Sequence, residues 1–342
     1  MNTFFYDKRI SGVLGILPET VKYYEDELID GFSKRNQMIK KNMGYGKRYH
    51  AKPTTTTADL CMSGLQYLFD KKLIDKEDIS AIIVATFTPD YFVPQISTLI
   101  HQGFGFSSDV FNLDIWAGCS GYVEGLLQAF LFLETNPQKK VLLFTGDVIN
   151  RMEETIYKYE EPYYGGDGAS ISIVENSPSQ KIPFLLMCDG KGKDLITFQQ
   201  GAFADIYHQK LVSTVQNNPM ESFRYFQEKV PNLIERLLEY GSIKKEDIDH
   251  YFLIHANKLA VLKMADRLQI SREAVSSDIV EKYGDISASL NPVSIIDYYG
   301  EKMLKKQTQK VVLCGYGAGA RWGATVMDIG NMNFCENYYT DL

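Results

Sequence analysis

Short apolar runs alternate along the chain with segments that have the periodicity of amphipathic helices. Val, Ile, Leu, Ala and Phe dominate the runs, which lie at 81–85, 141–144 and 311–313. Continuous runs of this length are typical of strands that are buried on both faces, and the segments between them predict helices. The alternation predicts an α/β protein with a largely parallel, doubly covered sheet.

The chain also contains an internal repeat. A Lys-Glu-Asp turn followed by an apolar run occupies residues 73–85 and recurs at residues 242–254, 169 positions later. The apolar runs at 140–146 and 310–315 keep nearly the same offset, 170 positions. Two matches in one register indicate a duplicated unit.

Each half is predicted to contain a helix, a turn, a buried strand, a second helix and another strand. The first of these helices is expected at 57–72 in one half and at 223–240 in the other. We expect an N-terminal half, 1–176, and a C-terminal half, 177–342, that share an interface, because no Pro/Gly/Ser-rich linker separates them. The stretch 177–218 has no counterpart and is expected to be inserted or connecting structure.

Composition narrows the possible functions. The chain has 342 residues, 45% of them hydrophobic, and a net charge of −7. This balance disfavours binding to nucleic acid or to an anionic membrane, and no apolar run approaches the ~20 residues that span a bilayer. The start lacks a signal-peptide pattern, and the five scattered cysteines never form CxxC. These features favour a cytoplasmic protein without a disulfide framework or a metal site.

Cys119 follows a strand-like run and precedes an amphipathic segment at 123–133, so it is predicted at a strand-to-helix turn. A helix N-terminus lowers the pKa of a nearby thiol and populates the nucleophilic thiolate. Gly118 and Gly121 allow a tight turn and close approach of a substrate. The alternative is a small buried thiol that packs the start of the helix.

Two features of the second half are candidates to act with Cys119. His255 ends the run 251–255, and the carboxyl ends of parallel strands are where open α/β folds collect reactive groups. Asp285 lies in a loop of small residues that opens a helix expected to run to about Leu304. A hydrogen-bonded core histidine and an N-cap aspartate are the structural alternatives.

A glycine-rich segment, residues 315–323, contains GxGxG but precedes an alternating, strand-like stretch. The helix that a dinucleotide-binding fingerprint requires is therefore missing. A glycine loop between two strands can instead point backbone N–H groups into a cleft as an oxyanion hole.

Taken in order, Cys119, His255, the Gly-Asp-Ile-Ser-Ala-Ser loop and the Gly-rich turn resemble the thiolase-like condensing enzymes. The closest resemblance is to ketoacyl-acyl-carrier-protein synthase III, and it extends over nearly the whole chain. Further matching segments are 44–48, 83–86, 146–148 and 166–169.

The resemblance implies a duplicated five-layer α-β-α-β-α fold, usually a homodimer, with a tunnel for an acyl thioester and no bound cofactor. Cys119 would take an acyl group from a thioester of coenzyme A or acyl-carrier protein, and splitting the transfer through an acyl-cysteine makes each step easier. His255 would be the catalytic histidine, and the backbone amides of Cys119 and Ala318 would form the oxyanion hole. The acyl tunnel would be closed by Tyr91, Phe92 and Val93.

One departure from the family concerns Asp285, because the family has asparagine there. The asparagine and histidine donate hydrogen bonds to the thioester oxygen of the malonyl unit, whereas a carboxylate only accepts them and opposes an adjacent enolate. Asp285 beside His255 would instead complete a Cys-His-Asp triad that activates a hydroxyl or amine acceptor. A protonated Asp285 would still donate a hydrogen bond, so condensation remains open.

A second departure concerns the acyl donor. The tryptophan and arginine that help the family to hold the coenzyme A nucleotide align with Met38 and Asn42, while Arg151 is retained. This change favours a carrier-protein thioester. Lys258 and Lys263 would contact an acidic carrier protein, and the alternative is a solvated helix face.

The sequence therefore predicts an acyltransferase that loads Cys119 and condenses the acyl group with a malonyl thioester, in fatty acid or polyketide-type biosynthesis. The first alternative is transfer to a hydroxyl or amine through the triad. The second is a silent partner subunit of a synthase heterodimer, which the presence of Cys119 and His255 disfavours.

Overall fold

The computed structural model describes residues 1–28, 33–150, 164–198, 215–217, 219–254, 257–301 and 307–342. In chain order, the strands are β1 Asn2–Pro18, β2 Val21–Tyr23, β3 Lys47–Tyr49, β4 Ile79–Thr86, β5 Phe111–Trp116, β6 Lys140–Val148, β7 Asp167–Cys188, β8 Ile196–Phe198, β9 Val215–Asn217, β10 His250–Leu253, β11 Gln309–Gly317, β12 Arg321–Ile329 and β13 Phe334–Thr340. The helices are α1 Lys34–Met43, α2 Thr57–Asp70, α3 Ile96–Gly103, α4 Gly121–Thr135, α5 Pro219–Gly241, α6 Lys258–Leu268, α7 Ile279–Tyr283 and α8 Leu290–Glu301.

Local sequence signals explain where two of the helices begin. Thr56 and Asp59 form a capping box at the start of α2, in which each side chain accepts a hydrogen bond from the other's backbone N–H. Asn257 caps α6 by accepting a hydrogen bond from the backbone N–H of Ala260. Both helices thus begin where a side chain satisfies an otherwise unpaired backbone donor.

The described strands form one nine-stranded mixed sheet and two small ribbons. The main order is β10-β11-β12-β7-β6-β4-β5, and β1 pairs with both β7 and β13. The pairs β4–β5, β4–β6, β10–β11 and β1–β13 are parallel, whereas β7 runs antiparallel to β1, β6 and β12, and β11 to β12. The prediction of a largely parallel sheet is therefore wrong, because β7 and β12 run antiparallel to the strands beside them.

The repeat appears as equivalent strand pairs in the two halves. In the first half β4 lies parallel to β6, and in the second half β10 lies parallel to β11. β4 also carries β5 on its free edge, whereas on that edge of β10 the described residues form just an isolated bridge between Tyr251 and Val275. The duplicated α/β architecture is confirmed. The boundary between the halves, predicted after residue 176, stays a prediction, and β7 runs continuously across that position.

Three apolar cores separate the layers of the molecule. One core packs α5 and α6 against the second-half strands, and another packs α2 and α3 against the first-half strands. Between them lies a core that combines buried residues of α4 and α8, which form the central helical layer. The five-layer order predicted from the family resemblance is confirmed.

The stretch 177–218 differs from the expectation. Its first part continues β7 to Cys188, where β7 pairs with β1 and β12. The local sequence is polar and contains proline, which disfavours a strand. Hydrogen bonding to β1 on one edge and to β12 on the other compensates for this, so this part belongs to the main sheet. The predicted end of the last helix, at Leu304, lies outside the described residues.

Candidate active site

Cys119 lies in the turn that links the edge strand β5 to the central helix α4. The turn is closed by a 2.6 Å hydrogen bond from the backbone N–H of Gly121 to the carbonyl of Gly118. Cys119 as a whole residue is half-buried. The strand-to-helix placement predicted from the sequence is therefore confirmed, although α4 starts two residues after the cysteine.

The surroundings of Cys119 do not lower the pKa of its thiol. Burial raises this pKa, and the negative charge of Asp285 raises it further, while the Ser287 hydroxyl lowers it. The expectation of a lowered pKa at a helix start is wrong for the described residues, because desolvation and a neighbouring carboxylate outweigh the helix. The thiol therefore needs a group that takes its proton when it attacks.

Asp285 is held beside Cys119 by backbone bonds from the first half. Its N–H donates to the carbonyl of Tyr164 at 2.9 Å, and its carbonyl accepts from the N–H of Gly166 at 2.8 Å. The carboxylate is buried, and its Oδ1 accepts a hydrogen bond from the N–H of Ser287 at 3.0 Å. The structure thus brings Cys119 of the first half and Asp285 of the second to one place.

Arg48 packs against the loop that carries Asp285 and bonds to the backbone next to it. Its Nη1 donates to the carbonyl of Gly165 at 2.9 Å and to Asn150 Oδ1 at 2.5 Å. A Cβ built on Gly284, whose φ is 75°, would lie 2.7 Å from Cβ of Arg48, so only glycine fits at this approach. The loop that carries Asp285 is therefore packed directly on a buried arginine.

The glycine-rich segment forms the turn between β11 and β12 and faces Cys119. An ideal Cβ on Gly315 would lie 3.1 Å from the carbonyl oxygen of Cys119, and one on Gly317 would lie 3.3 Å from Cys119 Cβ. Ala318 is exposed at the tip of this turn. The glycines therefore let the turn approach the thiol closely, as an oxyanion hole requires.

An ion pair ties the cysteine turn to the glycine-rich turn. Glu124 of α4 is buried and accepts a hydrogen bond from the Ser120 hydroxyl at 2.7 Å. Its other oxygen accepts from Arg321 Nη1 at 2.8 Å. Arg321 follows the glycine-rich turn, so the contact joins the two segments that would hold the thiol and the oxyanion.

Asp147 is a residue at this site to which the sequence reasoning gave no role. It lies near the end of β6 and is fully buried. Its Oδ1 accepts hydrogen bonds from the Thr86 hydroxyl at 2.9 Å, the Phe87 N–H at 2.9 Å and Thr88. Burial raises the pKa of Asp147 to about 7, against the lowering effect of these bonds and of Ser287. The signal available in the sequence was a charged residue, Asp147, three positions after the apolar run at 141–144.

The other predicted contacts are dispersed over the surface. Tyr91, Phe92 and Val93 are exposed in the segment that follows β4. Lys258 pairs with Glu281 at 3.5 Å, and Lys263 lies over an aromatic ring of α5. His255 and Arg151 lie outside the described residues.

The described residues contain neither a metal-binding cluster nor a membrane-spanning helix. No group of three or more His, Cys, Asp or Glu side chains in these parts of the chain is arranged to hold a metal ion. Within the same parts, none of the helices combines the length and hydropathy that a membrane crossing needs.

Known proteins resemble this chain over nearly its full length. Residues 238–329 match the family described as 3-oxoacyl-[acyl-carrier-protein (ACP)] synthase III C terminal. A Campylobacter jejuni protein named as a 3-oxoacyl-[acyl-carrier-protein] synthase 3 is 28% identical, and the match covers 97% of each chain. The beta-ketoacyl-[acyl-carrier-protein] synthase III of Clostridioides difficile is also 28% identical, over 93% of this chain and 98% of its own. The resemblance to the ketoacyl synthase III family is confirmed.

A solved structure supports the same fold. The 3-oxoacyl-(acyl-carrier protein) synthase of Burkholderia xenovorans superposes with a TM-score of 0.88 at 22% identity and covers 99% of both chains. The predicted thiolase-like α/β fold is therefore confirmed. The roles of the individual site residues remain predictions.

Proposed function

We propose that this protein is an acyltransferase that loads an acyl group onto Cys119 and condenses it with a malonyl thioester. The observation that carries the proposal is the convergence of three segments, which are the Cys119 turn, the Asp285 loop and the glycine-rich turn at 315–323. Cys119 would attack the thioester carbonyl, and the amides of Cys119 and Ala318 would stabilise the oxyanion. No metal or other cofactor enters this reaction.

Acyl loading is tested by intact-mass spectrometry of the protein after incubation with an acyl-carrier thioester. We expect one acyl adduct, which is absent in Cys119→Ala and retained in Cys188→Ala. Cys188 is the matched control because its thiol is exposed and free. Absence of the adduct from the wild-type protein would refute the enzymatic role and favour the silent-subunit alternative.

Asp285 supports a second candidate function, which is transfer of the acyl group to a hydroxyl or amine. Its negative charge acts on Cys119, and its Oδ1 accepts a hydrogen bond, as expected of a carboxylate. A carboxylate in this position opposes an enolate but suits a triad in which it orients His255 and stabilises the protonated imidazole. The two functions differ in whether carbon dioxide is released.

Release of carbon dioxide from a malonyl carrier by the acylated enzyme separates the two functions. Condensation predicts stoichiometric release, and Asp285→Asn is expected to match or exceed the wild-type rate because an amide donates to the enolate. The triad predicts acyl transfer without release, and loss of that transfer in Asp285→Asn. Both outcomes are read only after acyl-Cys119 has been detected.

The proposed acyl donor is a carrier-protein thioester. Lys258 and Lys263 lie on α6, and Lys263 is exposed. Two cations on one helix favour encounter with an acidic carrier protein. Arg151 is the third proposed contact. The double variant Lys258→Ala/Lys263→Ala is expected to raise KM for a carrier thioester and to leave KM for the corresponding coenzyme A thioester unchanged.

A homodimer is proposed through the edge of the main sheet. β5 ends the strand order, and its terminal residues Phe111 and Trp116 are exposed, as is Val93. An edge strand with exposed aromatic residues is a template for pairing with a second copy. We assign the protein to the cytoplasm, where a reducing environment keeps a nucleophilic thiol free.

A further inference from the structure

The reaction outlined above leaves one buried carboxyl group next to Cys119 without a function. Asp147 is completely buried, and its Oδ1 accepts the hydrogen bonds from residues 86–88. Its Oδ2 has no hydrogen-bond partner among the described residues. A buried carboxylate oxygen without a partner is costly, so its presence calls for a function.

Ser287 lies between Asp147 and the thiol. Its hydroxyl lowers the pKa of both Cys119 and Asp147, so it is close to both groups. Within the described parts of the chain, however, its buried Oγ completes no well-formed hydrogen bond. An ideal Cβ on Gly118, the residue before the cysteine, would lie 3.5 Å from this oxygen. The Ser287 hydroxyl is therefore available to bond to the thiol and to the carboxyl group.

The backbone of Ser287 is held in an uncommon conformation. Its φ is 53°, in the left-handed region that residues other than glycine rarely adopt. The hydrogen bond from its N–H to Asp285 Oδ1 helps to maintain this conformation. Strained residues of this kind concentrate at functional sites, because the surrounding structure must compensate for the strain.

We propose that Ser287 and Asp147 form a proton relay that accepts the Cys119 proton when the thiol attacks an acyl thioester. This inference rests on the proposed role of Cys119 as the nucleophile. It adds a route for the proton that the helix start does not provide. The route uses two buried polar atoms, Ser287 Oγ and Asp147 Oδ2, that form no hydrogen bond with the described residues.

The proton moves from sulfur to the carboxylate through the Ser287 hydroxyl. The S–H bond of Cys119 breaks, its proton passes to Ser287 Oγ, and the hydroxyl proton of Ser287 passes to Asp147 Oδ2. The sulfur electron pair forms the bond to the thioester carbon, and the negative charge moves from Asp147 to the oxyanion. When the adduct collapses, the proton returns by the same route to the leaving thiolate, which restores the ionised carboxylate.

The relay predicts a pH dependence that belongs to Asp147. Burial raises its pKa to about 7, so the carboxylate can accept a proton only above that pH. Among the described residues, the charge of Asp147 acts on the thiols of Cys61 and Cys119, and Cys61 is also affected by Asp90 and Asp114. Asp285 acts on Cys119 as well. The single-turnover rate of acyl loading should therefore rise with pH through about 7.

Ser287→Ala tests the relay with a matched control in the same loop. Ser289 is also buried, but its hydroxyl bonds to Thr145 at 2.8 Å. We expect Ser287→Ala to slow single-turnover acylation by on the order of 10²-fold and to abolish the pH limb, with KM unchanged. Ser289→Ala should stay within about twofold of the wild type. Equal rates and pH profiles in the two variants would overturn the relay.

Asp147→Asn tests whether Asp147 accepts the Cys119 proton or acts on the thiol only through its charge. The two roles predict opposite changes in the rate at which Cys119 is alkylated. The charge of Asp147 raises the pKa of Cys119, so a purely electrostatic role predicts faster alkylation by iodoacetamide once the charge is removed. The relay predicts slower alkylation. Circular dichroism would verify that each variant is folded. Because iodoacetamide needs no acyl donor, this result is independent of whether Cys119 carries an acyl group in the wild-type enzyme.

Discussion

Replacing Arg48 with methionine should lower the free energy of unfolding by about 3 kcal/mol. Arg48 is 2% exposed, and it donates to both oxygens of Glu27, at 2.5 and 2.8 Å. Removing one partner of a buried ion pair costs about 3–5 kcal/mol because the remaining charge is left uncompensated. Glu27 is 18% exposed and keeps Lys22 at 3.9 Å, so the lower end of that range applies.

Urea unfolding followed by circular dichroism measures this loss. Arg272→Met is the matched control, because Arg272 forms the same two-bond fork with Asp266, at 2.9 and 2.7 Å, on the surface. An exposed pair contributes little, so the control should show no resolvable change in the unfolding midpoint. Equal losses in the two variants would refute the assignment of the effect to burial.

Three further predictions concern the active site, the sheet edge and pH. Gly315→Ala should slow acyl loading severalfold, because the new Cβ would lie 3.1 Å from the carbonyl oxygen of Cys119 and would displace it slightly. Gly300→Ala, whose new Cβ meets nothing within 4 Å, should leave the rate unchanged. Trp116→Glu should shift the protein toward the monomer in sedimentation equilibrium, and an unchanged distribution would exclude β5 from the interface. Because the folded-state pKa of Asp147 is raised to about 7 from 3.8, the wild type should lose stability relative to Asp147→Asn as pH rises from 4 to 7. Urea midpoints that change in parallel over this range would contradict the raised pKa.

Local patterns predicted the elements whose sequence and environment agree. The helix predicted at 57–72 is α2, which ends at Asp70, and the strand predicted at 140–146 is β6, which ends at Val148. Both have strong periodicity or continuous apolar runs that match their burial. Cys119 was found in the same way, because a strand-to-helix turn with flanking glycines is a local signal.

Features that depend on distant partners could not be predicted. The continuation of β7 to Cys188 depends on pairing with β1 and β12, whereas its own sequence resembles a loop. The raised pKa of Cys119 arises from burial and from Asp285, 166 positions later in the chain. Local sequence also gave no function to Asp147, because its contacts lie in other strands and loops.

The pairing of β1 with β7 has a consequence for folding during synthesis. Asn2 pairs with Leu185, so the first strand has to wait for more than 180 residues before this partner has been made. At 5–20 residues per second that delay is about 10 to 40 s. For most of this delay, a strand that is mostly buried in the finished protein has neither its β7 nor its β13 partner. The nascent chain is therefore expected to depend on chaperones, and shortening β1 should reduce the folded yield before it reduces the activity of the molecules that fold.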